Sequence, residues 1–189
     1  MINKTILLMW VITMNVAPDI MSIVLNTADR FNLEPALVLG VIKTESSFDR
    51  YALVYEANVS DYSIGLMQVR YDTAKGMGFK GSQKDLMQPA TNIYYGCRYL
   101  KSRIDKYGAE LGIASYNSGS PVYKDGKLIN QVYLDRVKKY RDEFRAEFKI
   151  QENALGITGN KTNSTVALGI LLGAFGIFIA SKLLKKKGD

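Results

Sequence analysis

Between Pro35 and Lys43 the chain reads Ala36-Leu37-Val38-Leu39-Gly40-Val41-Ile42, with no polar side chain. Proline suits the first turn of a helix, and the run up to Thr44 is apolar nearly all round. A helix that is apolar on every side must be covered on every side. The segment therefore predicts a central buried helix, with Glu45 at its C-terminal end. Such a helix requires other elements to pack around it, and the flanking sequence supplies them. Asp19 to Phe31 has helical apolar spacing through Ile20, Ile23, Val24, Ala28 and Phe31, and Asn32 to Glu34 breaks it. Gly65 to Lys75 predicts the next helix, and Gly76, Gly78 and Gly81 predict a loop. Ser82 to Leu86 with Pro89 opens a long helix to about Tyr107, and Glu110 to Tyr116 is another. Gln131 to Phe148 is amphipathic. Tyr51 to Ser63 predicts a small hairpin or irregular lobe, and Ser120 to Asn130 a polar loop.

Composition narrows the chemistry. A chain of 189 residues fits one domain with appendages. It holds no histidine, which removes Ser-His-Asp and Cys-His sites as usually built and zinc sites that rely on imidazole. The single cysteine, Cys97, cannot form an internal disulfide; in its helical, tyrosine-rich segment it reads as a buried structural thiol. Of the net charge of +7, Lys182, Lys185, Lys186 and Lys187 less Asp189 account for three, leaving +4 on the rest. That is no nucleic-acid footprint. It suits an anionic polymer or a membrane surface, and equally an ordinary solvated surface.

Both ends read as appendages to a domain over residues 18–150. Residues 1–17 carry one charge, Lys4, then an apolar run from Thr5 to Met14 and a small residue at Ala17; they read as a signal peptide or an uncleaved N-terminal apolar segment. Residues 151–164, rich in Asn, Gly and Thr, read as a flexible tether. Residues 165–184 are expected to form a transmembrane helix, since Thr165 to Ser181 holds no charge. The basic tail over 185–189 then stays cytoplasmic and the domain extracytoplasmic, facing a periplasm or a virion membrane. Gly169 and Gly173 could seat a second helix, or be ordinary glycines of a membrane helix.

Four short motifs occur in order: Glu45-Ser46-Ser47-Phe48, Ser63-Ile64-Gly65-Leu66-Met67-Gln68, Ala114-Ser115-Tyr116-Asn117 and Tyr133-Leu134-Asp135-Arg136-Val137. Together they resemble the catalytic domain of the soluble lytic transglycosylase family, relatives of goose-type lysozyme, over roughly Ala17 to Phe148. The resemblance implies a mainly α, α+β lysozyme-like fold with peptidoglycan as substrate. It implies Glu45 as catalytic acid, with Ser63, Gly65, Met67, Gln68, Tyr116, Asn117 and Tyr133 around the sugar. Ser63 would orient Glu45, Asn117 would bind an N-acetyl group, and Met67 would line the cleft or pack in the core. It implies no metal and no cofactor.

A carboxyl group donates a proton near neutral pH only if an apolar setting penalises its anion. Glu45, following an apolar run, meets that condition. In the family it would protonate the glycosidic oxygen while the substrate's N-acetyl oxygen attacks C1. It would then take the proton of the muramyl C6 hydroxyl, which closes a 1,6-anhydro ring. In goose-type lysozymes an aspartate tends to follow the Gly-Leu-Met-Gln-Val run; here Arg70 stands there. Glu56, Asp61 and Asp72 remain as possible second acids, so a hydrolytic muramidase stays open. A catalytically silent glycan-binding module and a holin-like membrane protein are the readings from other classes. The setting is a wall-cutting step of a secretion or conjugation machine, or of a membrane-containing bacteriophage at entry or lysis.

Overall fold

The structure, a computed structural model, describes residues 16–154. The expected leader over 1–17 falls outside it but for its last two residues, and residues 155–189 lie wholly outside. The first helix, α1 (Pro18–Arg30), buries Ile20, Val24, Leu25 and Ala28, and the chain leaves it through Asn32 at a φ of 49°. Helix α2 (Pro35–Ser46) follows with every residue from Ala36 to Ile42 buried. It ends where Ser47 turns left-handed. A three-stranded antiparallel sheet comes next: β1 (Leu53–Glu56), β2 (Asp61–Ile64) and β3 (Val69–Arg70), in that spatial order. The predicted lobe is thus a hairpin with a third strand added.

Four short or medium helices and a second hairpin complete the described fold: α3 (Tyr71–Gly76), α4 (Gln83–Leu86), α5 (Pro89–Tyr107), α6 (Ala109–Ser118), β4 (Tyr123–Lys124) and β5 (Lys127–Leu128). The last element, α7 (Gln131–Ala154), runs four residues beyond the expected boundary at 150, so residues 151–154 are helical. Helix α2 packs chiefly on α7, α5 on α6, and α1 covers α2 and α5. Cys97 is fully buried in this core, and burial pushes its thiol far above the ordinary range.

Three expectations change. Gly65 to Lys75 is not one helix: Gly65 (φ 72°) and Gln68 (φ 44°) are both left-handed, and the chain makes a turn, a short strand and only then α3. Left-handed backbone cannot continue a right-handed helix. The polar stretch Ser120 to Asn130 contains a hairpin, turned at Asp125-Gly126 with both φ values positive, as an Asp-Gly turn favours. The expected fold also included a transmembrane helix, and this is corrected. Among the described residues no helix is long and apolar enough to cross a membrane, and 165–184, with its Gly169 and Gly173, lies outside them. The fold described is the helical domain with its two small sheets.

The turn between β2 and β3 is held by one residue of α5. Asn92, fully buried, donates to the carbonyls of Ile64 (2.7 Å) and Leu86 (3.1 Å) and accepts from the Met67 amide (2.8 Å). A Cβ on Gly65 would come within 2.7 Å of that side chain, so the position requires glycine for space as well as for its φ. Asn92→Ala strands three buried polar groups. It is expected to cost about 3 kcal/mol, read by urea denaturation with far-UV circular dichroism.

Candidate active site

Helix α2 delivers Glu45 to the edge of the core, partly buried, at a cavity of about 500 Å³. Ser46 ties that helix end down by donating to the carbonyl of Leu66 at 2.8 Å. Tyr133, at the start of α7, donates its hydroxyl to Glu45 Oε1 at 2.6 Å. The Glu45 carboxyl is raised from 4.5 to about 7. Burial is the main cause; the Tyr133 bond pulls the other way, and the charge of Glu56 raises it further. Burial and the adjacent carboxyl also hold the Tyr133 hydroxyl well above its ordinary range, so it remains a donor. With Oε1 taken by Tyr133, the acidic proton belongs on Oε2.

The other motif residues divide into wall and scaffold. Ser63, Gln68, Tyr116 and Asn117 line the cavity with Glu45. Gln68 gives its amide nitrogen to the carbonyls of Gly65 (2.9 Å) and Ala52 (3.2 Å), which leaves its oxygen for a ligand. Tyr116 donates to the Met67 carbonyl at 2.7 Å and packs its ring on Tyr99. Asn117 is exposed, and its carbonyl oxygen accepts from Asn130 at 3.0 Å, so its NH₂ is the group offered to a ligand. Gly65 shapes the turn from behind, and Met67 is fully buried in the core, away from the cavity wall. Tyr133 reaches Glu45 from the α7 side.

Ser63 does not bond Glu45. Its hydroxyl donates to Glu56 Oε1 at 3.0 Å, and Glu56 lines the same cavity. The other two candidate acids are engaged elsewhere. Asp61, 4% exposed, accepts from Arg70 Nε and from the backbone amides of Tyr62 and Asp72. Asp72 is exposed and paired with Lys75 at 2.8 Å. Neither lines the cavity, whereas Arg70 does. Asn130 and the Ser63–Glu56 bond carry no local sequence signature, because each acts across the fold.

This arrangement suits proton transfer to and from a polar, uncharged ligand: one carboxyl protonated near neutrality, and amide and hydroxyl groups around it. The family described as Transglycosylase SLT domain matches residues 22–132, more than half of the chain. The membrane-bound lytic murein transglycosylase C of Histophilus somni is 37% identical over 125 residues, covering 58% of this chain and 32% of that protein. The protein of the same name from Haemophilus influenzae is 36% identical over 135 residues, covering 58% and 36%. The chain spans about a third of the length of these curated relatives. Among solved structures, an inactive mutant of lytic transglycosylase Slt from Pseudomonas aeruginosa superposes with a TM-score of 0.47 at 20% identity, covering 73% of this chain and 24% of that one. With three of its four motifs lining one cavity, the fourth reaching Glu45 through Tyr133, and its sequence matched from residue 22 to residue 132, the chain belongs to the transglycosylase SLT domain family.

Proposed function

We propose that this chain is a peptidoglycan lytic transglycosylase. It cuts the β-1,4 bond between N-acetylmuramic acid and N-acetylglucosamine and leaves a 1,6-anhydromuramic end, acting on the wall outside the cytoplasm. The observation that carries the reading is Glu45, protonated up to about pH 7 at a cavity lined with amide and hydroxyl groups. Glu45 Oε2 gives its proton to the glycosidic oxygen as the bond to C1 breaks, and the substrate's N-acetyl oxygen bonds C1. The Glu45 carboxylate, steadied by Tyr133, then takes the C6 hydroxyl proton. O6 displaces the acetamido oxygen from C1, and Glu45 returns to its starting state. Gln68 and Asn117 supply an acceptor and a donor suited to acetamido and hydroxyl groups. The names of the Histophilus and Haemophilus relatives, lytic murein transglycosylases, support the same chemistry.

A hydrolytic muramidase is the second reading, favoured by one observation: Glu56 lines the cavity as a second carboxylate. The product separates the two. Muropeptides released by a transglycosylase carry anhydro ends and are one water lighter than hydrolysed ones. Mass spectrometry of digested peptidoglycan is expected to find the lighter species, and mainly reducing ends would establish the hydrolase instead.

Glu45→Gln is expected to lower wall lysis by about three orders of magnitude, since acid and base roles share the residue, with the fold retained. Turbidity clearance close to wild type would overturn the assignment. Stability supplies a separate check. The folded carboxyl titrates above its ordinary value, so the folded state holds a proton that the unfolded chain releases between pH 4.5 and about 7. The stability it contributes is full below pH 4.5 and is lost as pH rises through about 7. Glu45→Gln should therefore be more stable than wild type by about 3 kcal/mol near pH 8, and equally stable near pH 4. Denaturation curves at the two pH values read the difference.

A further inference from the structure

Register places a set of charged groups on one face of the small sheet. Val54 pairs with Ser63, Glu56 with Asp61, and Ser63 with Arg70. Paired residues share a face, so Glu56, Asp61, Ser63 and Arg70 lie together. The charges on that face are not equivalent. Asp61 and Arg70 neutralise each other, and Asp61 spends its oxygens on two backbone amides as well. Among the described residues no cation is bonded to Glu56; its bond is to the neutral Ser63 hydroxyl. Ser63 is 6% exposed and fixed within β2, so it holds the carboxylate in one place at the cavity wall.

We propose that Glu56, anchored by Ser63, is a positioning residue for the acid: its fixed negative charge keeps Glu45 carrying a proton at the pH at which the glycan is cut. The proposal rests on the reading of Glu45 as the acid. The Tyr133 bond that aims Glu45 also favours its anion. A nearby like charge disfavours that anion, so Glu56 offsets the cost of aiming. The same repulsion makes the spent carboxylate a better base for the second proton transfer. Other groups facing Glu45 do not supply this. Tyr116 from α6 and Tyr133 from α7 are neutral with raised hydroxyls, and Arg70 from β3 is engaged by Asp61. The serine before the Gly-Leu-Met-Gln turn thus serves the acid through a second carboxylate and not by touching it.

The test is a carbon-13 NMR titration of the Glu45 carboxyl in the resting full-length chain, its signal assigned by loss in Glu45→Gln. In Glu56→Gln the Glu45 midpoint is expected to move to lower pH, while Glu56→Asp, which keeps the charge, holds it near wild type. The ratio of lysis at about pH 8 to lysis at about pH 5 should fall three- to tenfold in Glu56→Gln, with the anhydro product unchanged. An unmoved Glu45 midpoint in Glu56→Gln overturns the proposal. So does a loss of lysis equal at every pH together with loss of reducing-end products, which would make Glu56 a catalytic carboxylate of a hydrolase. The titration needs no substrate. A wild-type chain that cuts no glycan would refute the proposed activity and leave the midpoint shift to decide this inference separately.

Discussion

The structure depends on a helix with no polar face whose last turn carries a carboxyl group. From Ala36 to Ile42 every side chain of α2 is buried, and α7 and α1 pack against it. The tightest approach is to α7, where a Cβ on Gly40 would lie 2.9 Å from the Val137 carbonyl and the Arg141 amide. Backbones that close fix the sliding register of two helices. Glu34, just before α2, pairs with Arg145; Gly40 faces Val137 and Arg141; Glu45 meets Tyr133. As α2 is ascended α7 is descended, and the antiparallel register set at Gly40 brings Tyr133 to the carboxyl. Packing in the core and aiming of the acid are therefore one constraint. A bulkier residue at Gly40 would disturb both.

The cavity floor obeys a different rule. The turn from Gly65 to Gln68 runs in left-handed backbone at both ends, and its polar groups would be costly to bury unpaired. Three elements claim them. Ser46 from α2 bonds the Leu66 carbonyl, Tyr116 from α6 the Met67 carbonyl, and Asn92 from α5 the Met67 amide. The turn is thereby a joint between helices. Met67 and Leu66 are drawn into the core as a result, and Gln68 is left as the member that faces the cavity.

What periodicity and capping can show is legible in the sequence: the central helix, the buried thiol, and Glu45 at a helix end. The four motifs bring Ser63, Gln68, Tyr116, Asn117 and Tyr133 into view. What is not legible depends on backbone sign or on polar partners far apart in the chain. A helical pattern over Gly65 to Lys75 misleads because hydrophobic spacing does not register the left-handed φ of Gln68. What Asn92 does shows only when the carbonyl of Ile64, 28 positions earlier, arrives beside it. Asp125-Gly126 is a hairpin signal plainly present in a stretch whose polarity reads as loop. The uncharged run Thr165 to Ser181 leads to the expectation of a membrane helix, and that expectation is corrected: no described helix has that character.

Arg70 shows how one exchange can reassign a whole site. Where goose-type lysozymes tend to carry an aspartate, a carboxylate here would stand next to Asp61, which is 4% exposed. Two acids so close with no cation would leave one of them protonated or the strand pair broken. With arginine in place, Asp61 is neutralised, takes the amides of Tyr62 and Asp72, and pins the start of α3 to β2. Arg70 thus supports the wall of the cleft through Asp61. Once Asp61 is committed there and Asp72 is held by Lys75 at the surface, Glu56 is the carboxylate left to act on Glu45 from across the cavity lining. Its serine bond then has an electrostatic consequence that an isolated surface glutamate would lack.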